Sequence, residues 1–314
     1  MGIAPARGVI YGMQLPIQML SQTTREPWEL EATVEDLVDV ARAAEASGQS
    51  FIGVCDHVAI PDNDYAAHMS TTWYDTVATL GYLAAHTSTV HLLSVVWIAP
   101  YRHPLQTAKA FATLDHLSRG RAVLGVGAGH VEAEFEALGV DYHQRGRLLD
   151  EAIEAVRATF GTDYASFSGR EWSFERVGIG PQPVSGSIPI WVGGSGAAAW
   201  RRVGRHADGY IPMGNPLEQL PEIIATIRQA AEEAGRGDTR FDIGFHGGIL
   251  YLGEPPEGSR ATLSGTAEQV AERLRQVAAA GANVLHLRFA NRSKAELLDQ
   301  MAAFGAEVAP LLAD

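Results

Sequence analysis

VHLLSVVWIAPYRHPLQTAKAFATLDHLSRGRAVLGVG, residues 90–127, reads as a strand, a helix and a second strand. Residues 90–97 are a run of aliphatic and β-branched side chains of strand length. Pro104 then stands where a helix tolerates proline, at its first turn, and the helical pattern stops before Arg119-Gly120. Residues 121–127 begin a new apolar run spaced by glycine. A strand, a crossover helix and another strand form the unit of a parallel sheet.

The same alternation continues in both directions. Upstream lie strand-like 9–15, a helical pattern over 30–46, strand-like 51–55 and a helix over 73–87. Downstream, a helix over 145–160 is followed by strands at 188–194, 208–213, 241–253 and 284–289, each with a helix behind it. Eight such units in 314 residues predict a (β/α)8 TIM barrel, here a single domain spanning 1–314. A doubly wound sheet would carry a GxGxxG turn near its start, and none is present. Residues 161–187 interrupt the rhythm with aromatic and glycine-proline punctuation, predicting a hairpin-bearing insertion after the fourth βα unit.

A formal net charge of −13 argues against a nucleic-acid or membrane surface, where a basic face is expected. The single cysteine, Cys55, excludes an intramolecular disulfide and fits a cytoplasmic location. It lies inside an apolar strand and is expected to pack as core. No apolar stretch approaches transmembrane length, and the N-terminal residues lack the apolar region of a signal peptide. The expected partner is a small molecule.

In a barrel, chemistry belongs at the carboxyl ends of the strands. Asp56-His57 follows the second strand, and His57 is an acid/base candidate because imidazole titrates near neutrality. The glycine turn 125–129, with Gly127 and Gly129, would let a flat ligand approach the backbone. The turn Gly193, Gly194, Ser195, Gly196, Ala197 opens a helix whose free N–H groups suit a phosphate. Two such turns predict a planar, phosphorylated cofactor. Eleven histidines are available, but none show the close spacing of a catalytic zinc, so no metal is expected. The chain lacks the GxSxG elbow of a serine hydrolase, and Asp56 with Glu132 or Glu134 fits a glycosidase pair poorly.

The blocks YRHPLQTAKAFATLDHLSRGRAVLGVGAGHVEAEFEALGVDYHQRGRLLDEAIEAVRATF (101–160) and GPQPVSGSIPIWVGGSGAAAWRRVGRHADGYIP (180–212) resemble the luciferase-like flavin and deazaflavin oxidoreductases, most of all their coenzyme F420-dependent branch. The resemblance implies a third-strand bulge with a non-proline cis peptide behind the cofactor ring, falling here at Ser94-Val95. It implies proton transfer by His57 or by His130, which stands where relatives often carry Glu or Trp. It further implies that Asp56 lies by the cofactor, that Trp97 narrows the cofactor pocket, and that Met13 and His130 line the substrate pocket. Arg102 and His103 would brace the rim at a helix start, Arg145 and Arg147 would flank a helix, and Arg288 would sit in a buried ion pair or reach an anionic substrate or the cofactor tail. The implied reaction moves a hydride between the deazaflavin C5 and a small organic substrate in a homodimeric enzyme. An FMN-dependent monooxygenase is the alternative, and a non-catalytic flavin-binding barrel the second.

Overall fold

The computed structural model describes residues 2–312. Its strands are β1 (Ile10–Gln14), β2 (Phe51–Val54), β3 (His91–Ser94), β4 (Trp97–Ile98), β5 (Ala122–Gly127), β6 (Ala165–Ser168), β7 (Ser173–Val177), β8 (Ile190–Gly193), β9 (Gly209–Ile211), β10 (Asp242–Leu252), β11 (Leu263–Gly265) and β12 (Val284–Phe289). The order β12-β1-β2-β3-β5-β8-β9, closed by β9–β10 and β10–β12, makes an eight-stranded parallel barrel. Helices α1 (Val34–Ala46), α2 (Thr76–Ala84), α3 (Pro104–Ser118), α4 (Glu132–Ala137), α5 (Arg145–Ala158), α6 (Ala197–His206), α7 (Leu220–Glu233), α8 (Ala267–Ala279) and α9 (Lys294–Ala303) lie between them. The sequence therefore folds as the (β/α)8 barrel its alternation predicts. Residues 161–187 contain the antiparallel pair β6–β7.

Two apolar layers hold the barrel. Phe51, Leu93, Val123, Trp191, Ile211 and Val284 fill its interior, while the larger shell packs the outer strand faces against the helices. Helix α3 shows how local chemistry sets the boundaries. The His103 imidazole accepts from the Leu105 N–H, Gln106 answers to the His103 N–H, and Pro104 begins the helix. Arg119 ends it at φ 62°, in the left-handed region that closes helices.

The third strand differs from its expected course. Residues 90–97 are not one run: β3 stops at Ser94, and the chain re-enters the sheet at β4 against β5. The non-proline cis peptide is Val95-Val96, one residue beyond the expected Ser94-Val95. Ser94 remains in the ladder because its hydroxyl donates to the Gly125 carbonyl and accepts from the Gly125 N–H, while Val95 N–H still reaches the Val54 carbonyl. The departure begins where those bonds end.

Among the described residues, no helix is long and apolar enough to cross a membrane. None of them form a group of three or more His, Cys, Asp or Glu side chains able to hold a metal ion.

Candidate active site at the barrel mouth

Val95 and Val96 project into the barrel where three neighbouring strands carry glycine. A Cβ on Gly53 would lie 2.5 Å from Val95, and Cβ atoms on Gly127 and Gly193 would lie 2.4 and 2.8 Å from Val96. Real Cβ atoms do not approach so closely, so glycine at these positions makes room for the valine bulge. Gly127 and Gly193 thus act through the bulge they accommodate. Ser94 is fully buried and committed to Gly125, so it supports the bulge without facing a ligand.

The mouth has two halves. Over β1, β9, β10 and β12 opens a cavity of about 480 Å³ whose lining includes Met13, Val95, Met213, His246, His286 and Arg288. Over β2 and β5, outside that lining, stand His57 and His130 with their rings 5.8 Å apart edge to face. Trp73 packs on the other edge of His57 at 4.3 Å.

Sequence reasoning missed the group that organises this second half. Glu134 on α4 is completely buried. One carboxylate oxygen accepts from the Val58 and Ala59 N–H groups at 2.6 and 3.1 Å. The other accepts from His57 Nδ1 and the Tyr101 hydroxyl, both at 2.8 Å. Burial alone would raise this carboxyl, but the His57 and backbone bonds outweigh it and hold Glu134 below the usual range. A carboxylate partner places a proton on His57 Nδ1 and leaves Nε2 as the uncommitted nitrogen. Tyr101 is pushed in the opposite direction, upward, by burial and by Glu134. His130 is kept below its ordinary value, first by burial and then by the charge on His57. The sequence carries one signal for Glu134: an acidic residue just beyond a glycine turn at a strand's carboxyl end.

Two expectations need correction. Asp56 is committed to the protein and not held free for a cofactor, because both its oxygens accept from Arg102, at 2.6 and 2.8 Å, and one also accepts from the Ile98 N–H. Trp97 points outward: its indole N–H donates to Thr107 on α3, its ring meets Phe111, and Arg102 stacks over it at 3.6 Å. These contacts lie on the helix-facing side, so Trp97 braces the wall behind the pocket. Arg102 and His103 do brace the rim as expected. Arg145 stacks on Tyr142, and Arg147 pairs with Glu151 and Glu171. Arg288 donates to the Thr24 carbonyl, and no carboxylate among the described residues lies within ion-pair distance of it.

The second glycine turn is braced as a unit. The Tyr210 hydroxyl donates to the Gly194 carbonyl and the Asn215 amide to the Ser195 carbonyl, 3.0 and 2.9 Å. Gly194 adopts φ 151°, and Gly196 caps α6 without a side chain. The N–H groups of the first turn of α6, from Ala197 onward, are left for an anion. Gly129, at φ 81°, meets Phe135 and Ile98 so closely that no Cβ fits.

A family model described as luciferase-like monooxygenase matches residues 12–263. An uncharacterised protein of Mycobacterium tuberculosis is 32% identical over 210 residues, covering 63% of this chain and 72% of that one. An F420-dependent glucose-6-phosphate dehydrogenase of Nakamurella multipartita is 32% identical over 208 residues, covering 64% of this chain and 59% of that one. Among solved structures, the coenzyme F420-dependent tetrahydromethanopterin reductase of Methanopyrus kandleri superposes with a TM-score of 0.76 at 18% identity, covering 98% of this chain and 100% of that one.

Proposed function

The chain belongs to the luciferase-like monooxygenase family, and on that premise we propose that it is a coenzyme F420-dependent oxidoreductase acting on a small organic substrate. The valine bulge carries this reading: Val95 and Val96, seated among Gly53, Gly127 and Gly193, offer a flat apolar backing at the mouth, close to the braced turn before α6. The cradle fits a planar ring with an anionic tail, and a relative at 32% identity is named for dependence on F420. When bound, the deazaflavin supplies a hydride-carrying C5.

The protein's own residues do the rest. Val95 and Val96 back the ring, Gly127 and Gly193 leave room for those valines, and the turn from Gly193 to Ala197 with the α6 dipole receives the anionic tail. Glu134 fixes His57 with its Nδ1 protonated, so that Nε2 accepts a proton from substrate or, in the reducing direction, returns one. His130, kept neutral by burial and by His57, stands beside it as a second hydrogen-bonding imidazole. The same reading makes the enzyme a single-domain, cytoplasmic homodimer.

The test is turnover of reduced F420 against a panel of enones, imines and quinones, and of oxidised F420 against alcohols. Wild type should turn over at least one of them, with His57→Ala slower by about 10²–10⁴-fold, the range of a lost general acid or base. Turnover with FMN and oxygen, and none with F420, would overturn the reading in favour of a monooxygenase.

A further inference from the structure

Opposite the Glu134–His57 cluster lies a second pair of histidines that the reaction as proposed does not use. His246 of β10 and His286 of β12 are register partners on adjacent strands, with rings 5.4 Å apart. Both line the cavity. Directly after His246 the register with β12 slips: three steps along β10, to Ile249, match two along β12, to Arg288. Such a bulge beside a cavity re-aims the strand. Gly248 takes φ 108° within it, and His246, although set in a central barrel strand, is exposed to the open chamber.

His286 sits one layer deeper. Its side chain is buried beside Phe51 and Trp191, and its Nε2 has no hydrogen-bond partner. An imidazole nitrogen left unpaired in the interior costs roughly 1–3 kcal/mol unless something meets it. Burial holds both rings below their ordinary pKa, His286 far below; His246 adds to this at His286, and Arg288 adds to it at His246, against the backbone bonds to His286 and Pro212 that favour its charged form. A neutral imidazole offers one donor and one acceptor. That pairing matches a hydroxyl or carbonyl, whereas a phosphate or carboxylate calls for a cation. Two guanidinium groups share the lining, and both are committed to backbone: Arg288 donates to the Thr24 carbonyl and Arg25 to the Leu20 carbonyl, with Glu26 and Glu29 beside them. The rest of that wall is largely apolar, including Met13, Leu15, Ile211, Met213 and Phe289.

We propose that the His246–His286 pair is the polar anchor of the substrate chamber, and that it takes an uncharged, largely apolar alcohol or ketone. The proposal rests on the F420 reading for the reaction, but the binding claim stands on the cavity itself.

Long-range 1H–15N spectra of histidine-labelled protein, with and without F420, test it. Resonances are assigned with His246→Phe and His286→Gln. Cyclohexanol and cyclohexanone should shift both rings, which carry the neutral pattern at pH 7, and leave His103 at the α3 start unmoved. His246→Phe should weaken cyclohexanol binding about three- to tenfold, the worth of one neutral hydrogen bond, and His246→Gln should restore part of it. If inorganic phosphate moves the pair and the alcohol does not, or if the alcohol leaves both rings of the pair unmoved, the proposal is overturned. Failure of the F420 reading appears separately, as absent quenching of F420 fluorescence, and the titration without cofactor then decides the chamber alone.

Discussion

Replacing Glu134 by glutamine changes one atom and tests how the His57 half of the site is built. The Oε1 position accepts from two backbone N–H groups, Val58 and Ala59, so the glutamine oxygen should stay there. Its NH2 then faces His57 Nδ1 and the Tyr101 hydroxyl, where two acceptor bonds are lost. Bonds to a charged group are worth about 1.5–3 kcal/mol each, and breaking a buried charged pair costs about 3–5 kcal/mol. We expect Glu134→Gln to lose about 3–5 kcal/mol in urea unfolding. His57 must also turn Nδ1 into an acceptor, which moves its proton to Nε2. In 15N-histidine spectra the ring should therefore change tautomer. The pH dependence has a definite sign: Glu134 titrates lower in the fold than when unfolded, so its stabilisation is present above the ordinary value of 4.5 and is lost as pH falls through the lower folded value. Below pH 4.5 wild type should lose stability more steeply than the variant. A variant within about 0.5 kcal/mol of wild type, with Nδ1 still protonated, would refute the assignment.

Other outcomes follow from the same packing. Gly127→Ala should destabilise by about 1–3 kcal/mol, because the new methyl meets Val96, whereas Gly81→Ala in α2 has open space and should stabilise by about 0.5–1 kcal/mol; thermal melts of both check this. Asp56→Ala strands Arg102 and the Ile98 N–H, and should cost about 3–5 kcal/mol in urea unfolding. His286 is neutral in the fold and takes up a proton when unfolded, so its stabilisation is present above the ordinary value of 6.5 and is lost below it. Between pH 6.5 and 5, His286→Phe should flatten the fall in stability by about one proton, read from urea midpoints across pH.

The barrel was legible because its signals are local. Strand-length apolar runs, Pro104 at a helix start and Arg119-Gly120 at its end are each readable within a few residues. The short strand β11 and the break between β3 and β4 were not, since both depend on pairing with distant segments. Placing the cis peptide one residue early has the same origin: only the Ser94–Gly125 bonds, 31 residues apart in sequence, keep Ser94 in the ladder. In the site, glycines and His57 stood out by type and position at strand ends. Trp97 did not reveal its outward face, because a bulge resets the alternation that would tell inside from outside. Glu134 was hidden for another reason. Its four donors come from two distant segments, residues 57–59 and Tyr101, so only its place after a glycine turn marks it in the sequence.

The central claim, that this barrel binds F420, is tested most directly by equilibrium titration of F420 and of FMN, each followed by its own fluorescence. The account predicts saturable quenching of F420, weakened by Gly193→Val, which crowds Val96, and negligible binding of FMN. Tight FMN binding with no measurable F420 binding would contradict it.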